Sequence, residues 1–352
     1  AGQSTRALVR LVSVCGGVRA PARVWSATEA AMSWRAPSPR VHVAAALAAA
    51  LALALPASTG AVGRFLAEWT DPCDGTLGGA EPDHSIFTSV LKSHVVDEGE
   101  LAGIRTSLVD YETLRRNPSD LRRYLAQLCA VDVEKLSAAQ KLATLINAYN
   151  AWMLGIVVRY APQDSVLELS SQVPEGSIWK HKFGTLGGVK VSLDDIEHGM
   201  IRAGLSVEYG AQGRIHAGVN CASLSCPDLL TEAFQASALS EQLTNATRRW
   251  LQNPTKNPGK QSDGSLKLSK IFDWYGADFV QDSGSIQAFV KKCNPAWSDV
   301  SASAGIAFEP YQWSLNKVNG TGIVSGASLA QQAGGLWALA FAAAILHGAL
   351  RT

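Results

Sequence analysis

No cluster of lysine or arginine stands out in this 352-residue chain. Without one, binding to a phosphate backbone has no electrostatic support, and nucleic acid is excluded as an expected partner. Charged residues are scarce, 17% against 47% hydrophobic, which excludes an intrinsically disordered protein. No long linker, charge block or repeat interrupts the stretch from Glu81 to Asn316, so residues 81–316 are expected to form one globular domain. Acid is almost missing from the first 31 residues, which hold Glu29 alone.

The two ends have a different character. From Met32, Arg35 and Arg40 precede an apolar run, Val43 to Leu55, then Pro56 and the small residues Ala57 to Ala61. That order is the one a secretory signal peptide has, so residues 32–61 are expected to be one and residues 1–31 upstream translation. An Arg-rich, acid-poor organelle-targeting segment is the rival reading. The run is too short to span a bilayer, which takes about 20 apolar residues. Residues 325–352 run from small residues through the polar spacer "SLAQQAGG" to "LWALAFAAAILHGAL". This matches the signal for a GPI anchor. A transmembrane helix would have to bury His347, and a docked C-terminal helix would lack a polar face over 336–346.

The expected location is therefore the secretory pathway, extracellular or at the cell surface, with the membrane reached through the C-terminal anchor. The sequons Asn245-Ala246-Thr247 and Asn319-Gly320-Thr321 fit a glycoprotein. Setting aside 1–60 (six arginines, one glutamate) and 327–352 (one arginine) leaves 24 basic and 29 acidic residues, about −5. Five cysteines lie in this body: Cys73, Cys129, Cys221, Cys226 and Cys293. In an oxidising compartment most should pair, and an odd number leaves at least one thiol over.

Along the body, "HSIFTSVLKSHV" has helical spacing, and "SDLRRYLAQLCAV" puts Leu121, Leu125 and Leu128 on one stripe with Ser119 as N-cap. Ser137 and Gln140 form a capping box ahead of "KLATLINAYNAWMLGIVVRY", a helix that Pro162 ends and whose broad apolar face demands burial. "FGTLGGVKVSL" reads as a hairpin turning at Gly187-Gly188, followed by a short helix "DIEHGMIRAGL" capped by Ser192 and Asp195. "RIHAGVN" reads as an interior strand, "LSEQLTNATRRWLQN" as a helix and "SLKLS" as a strand. "IFDWYGADFV" and "SIQAFVKKC" read as helices, and "IAFEPYQWSL" as extended chain. The expected class is α+β, a mainly helical single domain with a small antiparallel or mixed sheet.

Six residues could carry chemistry. Asn147 and Asn150 neighbour each other on one helix face, where asparagine needs hydrogen-bond partners. They either lock the core through backbone or orient a catalytic group. Glu197 and His198 are adjacent and point about 100° apart, so they cannot share one target. His198 is either a satisfied histidine or a general base. On an extended 214–220, His216 and Cys221 would face opposite ways, leaving His198 or His181 to serve a Cys221 nucleophile. Cys221 and Cys226 could instead close a small disulfide loop, or join His216 and His198 around zinc at an irregular spacing. No metal and no cofactor is expected.

Several blocks resemble the DUF547 family in the family's order. They are "LVDYETLRRNPSDLRRYLAQL", "KLATLINAYNAWML", "VKVSLDDIEHGMIR", "RIHAGVNCASLSCPDL", "LKLSKIFDWYGADF" and "PYQWSLN". The resemblance covers roughly residues 108–316, and the family's function is unknown. It implies that Asn147–Asn150, Glu197–His198, and His216 with Cys221 and Cys226 are the family's marked positions. Leu145 stands where the family has tryptophan before Ile-Asn. The helix-then-His layout is also similar to distant papain- and transglutaminase-like enzymes, with asparagine in the nucleophile's place. Two functions follow as expectations. One is a cysteine-dependent hydrolase or acyl-transferase using Cys221, His198 or His216, and Asn147 or Asn150. The other is a non-catalytic module binding a small molecule or peptide.

Overall fold

A computed structural model describes residues 81–210 and 213–318, together with Cys73 and Gly78. The segments read above as upstream translation, signal peptide and C-terminal anchor, and the Asn319 sequon, lie outside the described residues.

Helix α1, His84–His94, starts where the Asp83 carboxylate accepts the Ser85 N–H, and it buries Ile86, Phe87, Val90 and Leu91. The chain then folds into an antiparallel hairpin, β1 Val95–Leu101 and β2 Ile104–Val109. Ala102 and Gly103 turn it with positive φ. Helix α2, Tyr111–Arg116, is capped by Asp110. Helix α3, Ser119–Ala130, buries Leu121, Leu125 and Leu128 as the stripe predicts, but its N-cap is Pro118 and not Ser119. Proline sits there because its fixed φ suits a helix entry and its missing N–H is not needed.

The 23-residue helix α4, Ala138–Tyr160, is the centre of the molecule. The capping box of Ser137 and Gln140 is formed on both sides, and Ala161 ends the helix in the left-handed region ahead of Pro162. This helix is long and apolar enough to cross a membrane, yet its most apolar window is 94% buried inside the fold. Each large apolar side chain taken fully out of water contributes about 1.5–3 kcal/mol, so α4 organises the larger core cluster.

Strands β3 Gly184–Leu186 and β4 Val189–Val191 pair antiparallel through the predicted Gly187-Gly188 turn. The following segment, Asp195–Leu205, is a π-helix, entered through reciprocal bonds between Ser192 and Asp195. Helix α5, Leu239–Leu251, leads to a three-stranded sheet in which β6 Leu266–Leu268 pairs antiparallel with β5 Gly259–Lys260 and parallel with β7 Ile306–Phe308. Between β6 and β7 lie α6 Ile271–Trp274, α7 Gly276–Ser283 and α8 Ile286–Cys293. Trp250, Phe272, Phe279 and Phe289 fill a second core there. Helices dominate and the sheets are small, an α+β fold.

Candidate active site

The two asparagines of α4 act on backbone. Asn147 donates from Nδ2 to the Phe234 carbonyl at 2.8 Å and accepts the Phe234 N–H at 2.9 Å. Asn150 donates to the Gly218 carbonyl and accepts the Asn220 N–H, both at 2.8 Å. Each amide mimics a strand partner for a segment that has none. An apolar helix could offer loop backbone nothing equivalent, which explains two polar residues inside it.

That clamp shapes the stretch read above as a strand. Residues Arg214–Ala217 form a 3-10 turn instead, with the Gly218 N–H on the Ile215 carbonyl at 2.9 Å. The alternating faces expected of His216 and Cys221 therefore do not exist. Apolar and β-branched residues favour a strand only where a neighbour offers a ladder, and here the backbone partners are side chains of α4. Beyond it, Asn220 spans a loop: Oδ1 accepts the Ala222 N–H at 2.9 Å and Nδ2 donates to the Pro227 carbonyl at 2.8 Å. Ala222 sits at φ 63°, unusual for a residue with a Cβ. The tight turn brings the two cysteines together.

The Cys221 N–H donates to Cys226 Sγ at 2.9 Å. Cys221 Sγ lies 3.1 Å from Ser223 Oγ and 3.2 Å from Tyr311 Oη, and Tyr311 donates its hydroxyl proton to Cys226 Sγ at 3.2 Å. Tyr311 arrives on extended chain after β7, which pairs with 223–225 through bonds such as Leu224 N–H to the Ser314 carbonyl, 2.9 Å. The two thiols share one proton unequally. Burial works against a thiolate on Cys226, but the Cys221 thiol, the Tyr311 hydroxyl, the Cys221 N–H and Ser223 outweigh it, bringing its pKa down to about 7. Burial and then the neighbouring Cys226 push Cys221 well above the usual thiol range. Of the pair, Cys226 is the more acidic thiol and Cys221 the less acidic.

A buried cation anchors this loop from behind. Lys256, 3% exposed, donates to the Cys226 carbonyl at 2.5 Å, to Thr106 Oγ1 at 2.8 Å and to Asp228 Oδ1 at 2.6 Å. Arg249 holds the other oxygen of Asp228 at 2.7 Å and reaches Asp97 on β1, also at 2.7 Å. Burial lowers the pKa of Lys256, opposed by Asp228.

The histidines stand apart from the thiols. His216 Nε2 is 2.8 Å from Asp278 on α7, whose carboxylate Arg202 also grips at 2.6 and 3.1 Å. Burial opposes the Asp278 charge, yet His216 and Arg202 hold its pKa down at about 2. The His216 ring stacks on Tyr275 at 4.3 Å. His198 is exposed, with Nδ1 2.8 Å from Arg202 and Nε2 3.7 Å from Asp194. His181 pairs with Glu175 at 2.7 Å. Among the described residues, none of the three hydrogen-bonds a thiol. Glu197 is buried, and with burial it raises the pKa of Tyr275. Burial, and after it the charges of Glu197, Cys221, Cys226 and Tyr275, push the pKa of Tyr149 up. Asn150 and the thiols are joined through the backbone of residues 218–222, while Asn147 supports the Phe234 backbone and His198 faces solvent.

The cysteine tally also differs from expectation. Cys73 and Cys129 are bonded, and Cys221, Cys226 and Cys293 are free thiols, so three of the five are left over where most are expected to pair. Among the described residues no group of three or more His, Cys, Asp or Glu is placed to hold a metal. Sequence reasoning missed Ser223, Tyr311, Lys256, Asp228 and Asp278. "PYQWSLN" carried the signal for Tyr311 only as a family block.

No curated protein and no solved structure matches the chain. A family model does match over residues 133–251, a span that holds α4, the π-helix, the thiol loop and α5 but stops short of Lys256, Asp278 and Tyr311. The segment that builds the clamp and the thiol pair carries the signature of DUF547, described as a protein of unknown function.

Proposed function

We propose that this domain is a cysteine-dependent acyl-transferase or hydrolase. In it the Cys226 thiolate is the nucleophile and Cys221 its proton donor. The observation that carries the reading is the set of donors on Cys226 Sγ, which keeps a thiolate near neutral pH in a buried place. The thiolate attacks an acyl carbon and forms a thioester. The leaving group departs with the proton of the Cys221 thiol, and water or an acceptor then releases the acyl group. Ser223 and Tyr311 supply hydroxyl donors beside the reacting carbon. Asn150, Asn220 and Lys256 are positioning residues, since each holds loop backbone.

Aromatic rings surround the Tyr311 side of the thiol pair. Tyr311 packs against Trp313 and against Trp274, 4.5 and 4.8 Å between ring centres, and Trp274 is 41% exposed. An aromatic wall beside the thiols suits an apolar acyl group. The papain- or transglutaminase-like layout would require Asn147 to meet substrate, and its amide is held by Phe234. Location at the cell surface belongs to the same proposal and is supported by the Cys73–Cys129 bond, which an oxidising compartment favours. Fractionation of tagged full-length chain tests it.

The second reading, a non-catalytic binding module, is favoured by the burial of Cys221 (9%) and Cys226 (4%) and by the missing histidine. Iodoacetamide labelling across pH 5–9 (a range of about four units around neutral) separates the two. Labelling of Cys226 with a midpoint near 7, while Cys293 stays protected, supports the enzyme. Labelling that appears only after unfolding leaves the binding module.

A further inference from the structure

We propose that Cys221 and Cys226 form a reversible dithiol–disulfide centre that reacts with a hydroperoxide, a modification site that stands whether or not the acyl chemistry does. Three observations carry it. Both sulfurs lie 3.2 Å from the single Tyr311 hydroxyl, Cys226 Sγ also receives the Cys221 N–H, and the two thiols hydrogen-bond each other. Asn220 ties both ends of the loop, from the Ala222 N–H to the Pro227 carbonyl, and so holds the two cysteines in one short turn. Donors converge on Cys226 Sγ and make it the more acidic thiol, which suits it to attack the oxidant while Cys221 resolves.

Burial selects the oxidant. Cys226 is 4% exposed and its sulfur accepts the Tyr311 hydroxyl, which favours a small oxidant such as hydrogen peroxide over a bulky disulfide. The Cys226 thiolate attacks one peroxide oxygen, the O–O bond breaks, and the expelled hydroxide takes a proton to leave as water. Cys226 is now a sulfenic acid. The Cys221 sulfur attacks it, the S–O bond breaks, and the departing hydroxide takes the Cys221 proton as a second water. The pair has lost two electrons and the single Cys221 proton, solvent has supplied the second proton, and the peroxide has become two waters. A thiol reductant reverses the bond by exchange.

Cys293 provides an internal control, since it is buried on α8 and burial pushes its thiol up to about 11. Full-length protein is treated with hydrogen peroxide, quenched and mapped by mass. The peptide holding both cysteines is expected to lose about 2 Da, recover with dithiothreitol, and leave Cys293 untouched. Cys221→Ser is expected to stop at a sulfenic acid or beyond on Cys226, a gain of about 16 Da or more. Cys226→Ser is expected to slow oxidation of Cys221 by at least about tenfold. Folding of both variants is checked by urea midpoint. Folded wild type that stays reduced, or that gains oxygen on Cys226 with Cys221 still alkylatable, overturns the proposal. The failures are separable: pH-dependent labelling of Cys226 without a disulfide sinks this centre alone, and a disulfide without such labelling sinks the acyl reading alone.

Discussion

Asn150 shows how much one amide can do. It pairs two backbone groups that no strand reaches, the Gly218 carbonyl and the Asn220 N–H. Asn150→Ala leaves both buried and unpaired, and the expected cost is about 2–4 kcal/mol in urea unfolding. A cost below about 0.5 kcal/mol would mean the clamp is not made. Asp278 makes a pH prediction. Its folded pKa, about 2, lies below that of an unfolded aspartate, about 3.9. The ion pairs with Arg202 and His216 therefore stabilise fully above about pH 4 and are lost as pH falls from about 4 to 2. The contribution is of the order of 2 kcal/mol. Asp278→Asn should flatten that part of the stability profile in guanidinium titrations, and an unchanged slope would contradict the assignment. Both residues are visible in the sequence, but only Asn150 announces itself, because a polar residue in an apolar helix demands a partner. Asp278 looks like any surface acid of a short helix.

Elements with local causes were legible. Helix α4 follows from its capping box, its apolar face and Pro162. The β3–β4 hairpin follows from Gly187-Gly188, which take positive φ. Residues 214–217 were not legible, because a strand needs a neighbouring strand and this one meets side chains. The π-form of Asp195–Leu205 was not legible either, since its widened turn shows no period distinct from an ordinary helix over so short a run. Register between elements adds a test. A Cβ on Gly184 would fall inside the Trp152 indole of α4. Gly184→Ala should therefore cost about 1–3 kcal/mol by overpacking, read as a lower thermal midpoint. An unchanged midpoint would show that β3 lies farther from α4 than described.

At the scale of the molecule, Lys256 joins regions that share no sequence neighbourhood: β2 through Thr106, the thiol loop through the Cys226 carbonyl, and α5 through Asp228 and Arg249. Lys256→Met removes one partner of a buried charge pair and should cost about 3–5 kcal/mol. Hydrogen exchange should then quicken in β2 and the thiol loop together, because both lose the same ammonium. Quickening in one alone would break the proposed link. By itself the sequence determined the helical body, its caps, the second hairpin and the resemblance to DUF547, because apolar periodicity and capping act within a few residues. Only the tertiary structure decided which thiol is the more acidic. The Tyr311 hydroxyl and the Lys256 ammonium reach the loop from 85 and 30 residues away, and such bonds depend on how whole elements pack, which no local pattern encodes.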